Sequence, residues 1–107
     1  MHPEFSEYSG DTMELTIGPQ YRVFRWSGEG KVLFSVAKRG RAAVCHFSSD
    51  KAGLKSVKVA CEKFIRFCLA QDWCDMIMTS TVKPSIKRLL AKIGFEPLIE
   101  DVYVWAQ

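Results

Sequence analysis

The chain has 107 residues, enough for one domain around one core, and its 48% apolar and 25% charged residues are typical of a globular protein. This composition excludes a disordered chain, and no apolar run approaches the roughly 20 residues that a membrane-spanning helix needs. The net charge of +3 is too small to imply a nucleic-acid partner by itself.

The first half of the chain predicts an antiparallel arrangement of strands. Residues 1–12 are polar and are expected to form a flexible arm outside the domain. Segments rich in aromatic and β-branched residues predict four strands, at residues 13–17, 21–26, 32–37 and 42–47. A hairpin loop is expected at residues 27–30, which contain two glycines.

The second half alternates helices and strands. An apolar stripe at helical spacing predicts a helix over residues 54–71, with Ser48, Ser49 and Asp50 as capping groups before it. A short apolar strand follows at 76–79 and is expected to run parallel to the strand before the helix. A second helix is expected to begin at Pro84 and to end at Gly94. Strands at 95–98 and 102–105 complete the order β-β-β-β-α-β-α-β-β.

The four cysteines, Cys45, Cys61, Cys68 and Cys74, include no C-x2-C pair, and the chain has only two histidines. Cys61 and Cys68 lie on the apolar face of the predicted helix, where a free thiol behaves as a small hydrophobe. We therefore expect structural thiols and no metal site. Because the first residues contain neither a basic nor an apolar segment, we expect no signal peptide and a cytoplasmic location.

The element order, together with Lys92-Ile93-Gly94-Phe95 at the end of the second helix, resembles the GNAT acetyltransferase superfamily. The resemblance covers roughly residues 20–106, and residues 13–107 would form one GNAT-like α/β (α+β) domain with a mixed sheet of six to seven strands. The first helices of that family have no counterpart here. The chain therefore looks like a shortened member, of a size also met among phage-encoded relatives, for which the location would be the host cytoplasm.

The resemblance implies acetyl-CoA as a bound substrate. Aligning the family's phosphate-binding loop on Gly53 retains one of its glycines and leaves Asp50 and Lys55 in place of its first and last residues. A loop that leads into a helix N-terminus offers N–H groups and a favourable dipole to phosphates. A capped helix start with solvated lysines is the alternative interpretation. The implied cofactor-binding residues are Phe47, Lys51, Ala52, Gly53, Leu54, Lys55 and Lys83.

The positions that the family uses for catalysis differ in this chain. In the family, a tyrosine that protonates the leaving thiolate often occupies the position of Leu90. An asparagine commonly occupies the position of Lys83. His46 is the candidate base, because its ordinary pKa suits proton transfer near neutral pH. A lone histidine on an apolar strand can also be a hydrogen-bonded core residue.

Two functions remain open from the sequence. One is transfer of an acetyl group from acetyl-CoA to an amine acceptor that cannot be named. The other is a catalytically inactive domain that binds a protein partner, for example as a phage accessory protein.

Residues 51–92 contain nine basic and three acidic residues, which fits an anionic partner or two solvated helix faces. The strand aromatics alternate as core residues do, which argues against base stacking on nucleic acid. The family's last strands often pair between protomers, which implies a homodimer.

Overall fold

The computed structural model describes residues 4–50 and 54–106, and in these residues seven strands and two helices follow one another in the predicted order. The elements are β1 (Phe5–Glu7), β2 (Arg22–Trp26), β3 (Lys31–Arg39), β4 (Ala42–Asp50), α1 (Leu54–Leu69), β5 (Met76–Ser80), α2 (Pro84–Ile93), β6 (Glu96–Ile99) and β7 (Val102–Ala106). The fold class and the element order predicted from the sequence are therefore confirmed.

The strands form one mixed sheet in the order β1-β2-β3-β4-β5-β7-β6. All neighbouring pairs are antiparallel except β4 and β5, which are parallel and are joined through α1. The parallel pair is confirmed, and its physical reason is the crossover: a chain that leaves one strand and returns through a helix enters the next strand in the same direction.

Both helices pack on the same face of the sheet. Buried residues of α1 and α2 share one hydrophobic cluster with alternate residues of β2 to β5. Phe64 of α1 lies at its centre, stacked on Phe34 of β3 with ring centroids 4.3 Å apart. The apolar stripe that predicted α1 is the face that fills this core. The second helix begins at Pro84 and ends at Gly94, whose left-handed backbone returns N–H bonds to the carbonyls of the last turn.

The strand predicted at residues 13–17 is wrong. The Asp11 side chain accepts a hydrogen bond from the Met13 N–H, and the Leu15 N–H donates to the Thr12 carbonyl. These two turns, with a left-handed Met13 at φ 57°, bend the backbone away from an extended conformation. The segment instead passes beside the end of β4, where Ser48 Oγ donates to the Thr12 carbonyl oxygen at 3.3 Å.

The first strand lies nearer the start of the chain than predicted. Phe5–Glu7 pairs with β2, within the segment that the sequence analysis assigned to a flexible arm. Phe5 is 2% exposed and its ring lies 5.1 Å from Phe64 and 5.2 Å from Phe67. Burial of this one aromatic ring between the sheet and α1 explains why a polar segment adds an edge strand.

The segment predicted to cap α1 belongs to a strand. Ser48, Ser49 and Asp50 are the last residues of β4 and pair with the beginning of β3. The predicted packing of the thiols is confirmed, because all four cysteines are free and buried. Within the described residues, no helix combines the length and apolar character needed to cross a bilayer, and no three His, Cys, Asp or Glu residues cluster as metal ligands would.

Candidate functional site

The sheet splits between its two parallel strands. Strands β4 and β5 pair at three positions, the last of which joins Val44 to Met78. Beyond Val44, β4 continues for six residues paired with β3, and beyond Met78, β5 continues paired with β7. Because strand pairing consumes backbone N–H and C=O groups, its end at Val44 leaves the edges of β4 and β5 free to bond another extended chain.

A groove of about 540 Å³ lies at this split. Its walls come from the ends of β4 and β5, from the segment at residues 13–16 and from the first turn of α2. Six of its thirteen lining residues carry a small hydroxyl side chain: Thr16, Ser48, Ser49, Thr79, Ser80 and Thr81. The groove therefore combines polar and apolar lining and lies within the size range of small-molecule sites.

Both helices begin on the side of the sheet where β4 and β5 end. Helix α1 starts at Leu54, four residues after the end of β4, and α2 starts at Pro84, four residues after the end of β5. The N-terminus of a helix carries a partial positive charge and unpaired N–H groups. No acidic residue occupies the first turn of either helix. The two helix beginnings therefore favour an anion at this edge, while Glu14 and Asp50 bring two carboxylates and Lys83 one cation to the groove beside them.

The candidate base His46 lies at the groove. It is half-buried, and burial lowers the pKa of its imidazole below the ordinary value. The Tyr21 hydroxyl lies 3.4 Å from His46 Nε2, and the two ring centroids are 5.7 Å apart. With the proton on Nε2 donated to the Tyr21 oxygen, Nδ1 of the neutral imidazole keeps its lone pair and can accept a proton. The structure thus combines the properties of a base with an orienting neighbour that the sequence analysis did not pair with it.

Lys83 and Phe47, two of the predicted cofactor-binding residues, lie together at the groove. Lys83 precedes α2 in extended backbone, and its ammonium lies 3.9 Å from a carboxylate oxygen of Glu14. Glu14 is well exposed and, like Asp50, brings a carboxylate to the groove. The sequence analysis named His46 alone as a candidate base, from the strands between residues 32 and 47, and so it did not include Glu14, which reaches the groove from the turn segment.

The other predicted cofactor-binding residues are not tested. Lys51, Ala52 and Gly53 lie outside the described residues, as do the side chains of Leu54 and Lys55. Leu90 is 4% exposed and belongs to the core cluster, beside Phe95 at a small apolar space of about 30 Å³. An aliphatic side chain there has no proton to donate.

The chain is similar to known proteins in its fold, and it matches no sequence family. No family model and no curated protein matches the chain. Among solved structures, a chimera of the spermidine N-acetyltransferase SpeG from Vibrio cholerae with hSSAT superimposes with a TM-score of 0.70 at 10% identity, over 81% of this chain and 67% of that one.

Two further structures contain a coenzyme in their complexes. The N-acetyltransferase PseH from Campylobacter jejuni, with acetyl coenzyme A, has a TM-score of 0.69 at 10% identity over 84% of this chain and 70% of that one. The aminoglycoside acetyltransferase AAC(6')-Ib, with coenzyme A and kanamycin, has a TM-score of 0.65 at 12% identity. The match covers 82% of this chain and 67% of that one. The chain therefore has the fold of the GNAT acetyltransferases, as its sequence predicted.

Proposed function

We propose that this protein binds acetyl-CoA in the groove between β4 and β5 and transfers the acetyl group to an amine. The observation that carries the proposal is the split in the sheet, where two unpaired strand edges meet the beginnings of two helices. Such a site complements a ligand with two different ends. An extended end with amide groups fits the strand edges, and an anionic end fits the helix beginnings.

The chemistry of acetyl-CoA fits the groove along its length. Its pantetheine arm carries two amides in an extended chain, which can bond the free edge of β4 as an added strand would. Its pyrophosphate would lie toward the helix beginnings, where dipoles and N–H groups favour phosphate. Lys83 adds a cation at the start of α2, and its contact with Glu14 at 3.9 Å is loose enough to exchange for a phosphate.

His46 supplies the proton acceptor for the transfer. Burial keeps its imidazole neutral at pH 7, because the lowered pKa places protonation below that pH. The imidazole would take a proton from the incoming ammonium, and the freed amine nitrogen would attack the thioester carbonyl carbon. The C–N bond forms and the C–S bond breaks. The attacking nitrogen loses its second proton to solvent as the amide forms, and the thiolate of coenzyme A takes up one proton from solvent, since Leu90 offers none.

A second candidate function is a non-catalytic domain that binds a protein partner. Leu90, an aliphatic core residue where the family often has a tyrosine that acts as an acid, favours this alternative. The edge strand β6 exposes Leu98 and Ile99, at 59% and 63%, and could form such a contact. The two candidates differ in one measurable property, which is affinity for acetyl-CoA.

The test is calorimetric titration of the protein with acetyl-CoA, beside two charge-reversed variants of the same helix. Lys83→Glu changes the residue at the groove, and Lys92→Glu makes the same change in the last turn of α2. We expect micromolar binding by the wild-type protein, a loss of about tenfold in Lys83→Glu and a change of less than about twofold in Lys92→Glu.

Ser80→Trp provides a second variant, because an indole at this exposed groove position would block the site without removing a core contact. Lys51→Glu/Lys55→Glu tests the predicted phosphate loop in the same assay. No heat of binding near about 1 mM acetyl-CoA would refute the acyltransferase proposal and leave the protein-binding alternative. Equal losses in Lys83→Glu and Lys92→Glu would refute the assignment of the cofactor to this groove.

A further inference from the structure

A second groove lies at the other end of α1. It has a volume of about 760 Å³ and is formed by the last turn of the helix, the loop after it and the faces of β1 to β3. None of its residues belongs to the groove between β4 and β5. Acetyl transfer as proposed above makes no use of this region.

Aromatic rings form the walls of the second groove. Phe24 is 5% exposed, and its ring meets that of Phe67 edge-on with centroids 5.1 Å apart. Trp73, half-buried in the loop after α1, also lines the groove. Perpendicular rings at this distance form a stable, preorganised apolar wall. The groove can therefore take the flat face of a ring compound without first rearranging.

Lys38 and Arg22 bring positive charge to the rim, and their surroundings differ. The Arg22 guanidinium is compensated, because it donates two hydrogen bonds to Glu7 Oε1, at 2.8 and 2.5 Å. The Lys38 ammonium lies 5.3 Å from the centroid of the Trp73 ring and has no acidic partner among the described residues. The groove thus has one uncompensated cation, held beside the half-buried ring of Trp73.

We propose that the second groove binds a small aromatic compound that carries one carboxylate. Its ring would pack between Phe67 and Trp73, and its carboxylate would pair with the Lys38 ammonium. An amine ligand is disfavoured here, because Lys38 would repel it while Glu7 is already engaged by Arg22. A neutral ring compound would gain the apolar contacts and lack the ion pair.

Two probes of the same shape separate these contributions. The anion 1-naphthoate and the neutral 1-naphthamide are titrated into isotope-labelled protein while the indole N–H signal of Trp73 is followed by two-dimensional NMR. Loss of one indole signal in Trp73→Phe assigns that signal. The test variant is Lys38→Gln. The control variant is Lys92→Gln, which removes one exposed lysine charge away from the groove.

The proposal predicts a saturable shift of the Trp73 signal, with 1-naphthoate bound more tightly than 1-naphthamide. Lys38→Gln should weaken 1-naphthoate by about fivefold, about 1 kcal/mol, and leave 1-naphthamide unchanged. Lys92→Gln should change neither probe. The absence of a saturable shift up to about 10 mM would overturn the proposal. Equal affinities for the two probes in the wild-type protein would overturn it independently of any variant.

Discussion

Ser35 offers a prediction that runs against ordinary expectation: replacing this polar residue by alanine should stabilise the protein. Ser35 lies in β3 on the face opposite the helices and is 0% exposed. Its hydroxyl has no hydrogen-bond partner among the described residues. Folding therefore removes a hydroxyl from water and gives it no protein partner in return.

The magnitude follows from the cost of burying such a group. Burying an unpaired hydroxyl destabilises a protein by about 1–3 kcal/mol in mutational data. The small cavity that alanine leaves cancels part of the stability gained by removing the hydroxyl. We expect Ser35→Ala to raise the free energy of unfolding by about 1–2 kcal/mol. With a urea dependence of about 1.5 kcal/mol per molar, the unfolding midpoint should rise by about 0.7–1.3 M.

Ser48→Ala is the matched control, because it removes a hydroxyl that does have a partner. Ser48 Oγ donates to the Thr12 carbonyl oxygen, and loss of this bond should lower the free energy of unfolding by about 0.5–1.5 kcal/mol. Urea unfolding followed by circular dichroism measures both variants. An unchanged or lower midpoint for Ser35→Ala, with a lower midpoint for Ser48→Ala, would refute the reasoning about the unpaired hydroxyl.

Three further predictions concern a titrating group, a thiol and a turn. Because burial lowers the pKa of His46 in the folded state, the unfolded state binds the proton more tightly, so the free energy of unfolding should fall as pH decreases through about 6.5. Urea unfolding at several pH values should show a smaller fall in His46→Gln. Burial raises the pKa of the Cys61 thiol to about 12, so Ellman's reagent at pH 8 should modify this residue, identified by mass spectrometry, far more slowly in the native protein than in urea. Gly94→Ala should cost about 1–2 kcal/mol in urea unfolding, because φ is 118° there and a Cβ would lie 3.1 Å from Trp105 Nε1; a cost below about 0.5 kcal/mol would contradict this.

The elements that the sequence predicted well are those determined by local patterns. The apolar stripe of α1 repeats over four turns, and Pro84 and Gly94 mark the two ends of α2 by their backbone requirements alone. The parallel pairing of β4 and β5 follows from the length of the crossover between them. Each of these inferences needs only neighbouring residues or a general rule of chain connection.

The elements that the sequence missed depend on contacts between distant residues. Phe5 becomes part of a strand because it packs against Phe64 and Phe67 of α1, about sixty residues later in the chain. The segment at 13–17 has a strand-like composition, but the hydrogen bond that the Asp11 carboxylate accepts from the Met13 N–H turns its backbone. Nothing in the spacing of these residues indicates either outcome.

The candidate site was predicted in part for the same reason. His46 and Lys83 were recognised by residue type and position, and both lie at the groove. The neighbours that give them chemical character, Tyr21 beside His46 and Glu14 beside Lys83, come from segments that are distant in sequence. A search for carboxylates that included the segment at residues 13–17 would have found Glu14.

The measurement that tests the proposed function most directly is a map of the amide signals that acetyl-CoA shifts in isotope-labelled protein. Binding at the split sheet predicts shifts concentrated at residues 45–50 of β4, at residues 79–81 and at the first turn of α2, with the turn at Gly40 unaffected. Shifts concentrated elsewhere, or none at about 1 mM acetyl-CoA, would contradict the account.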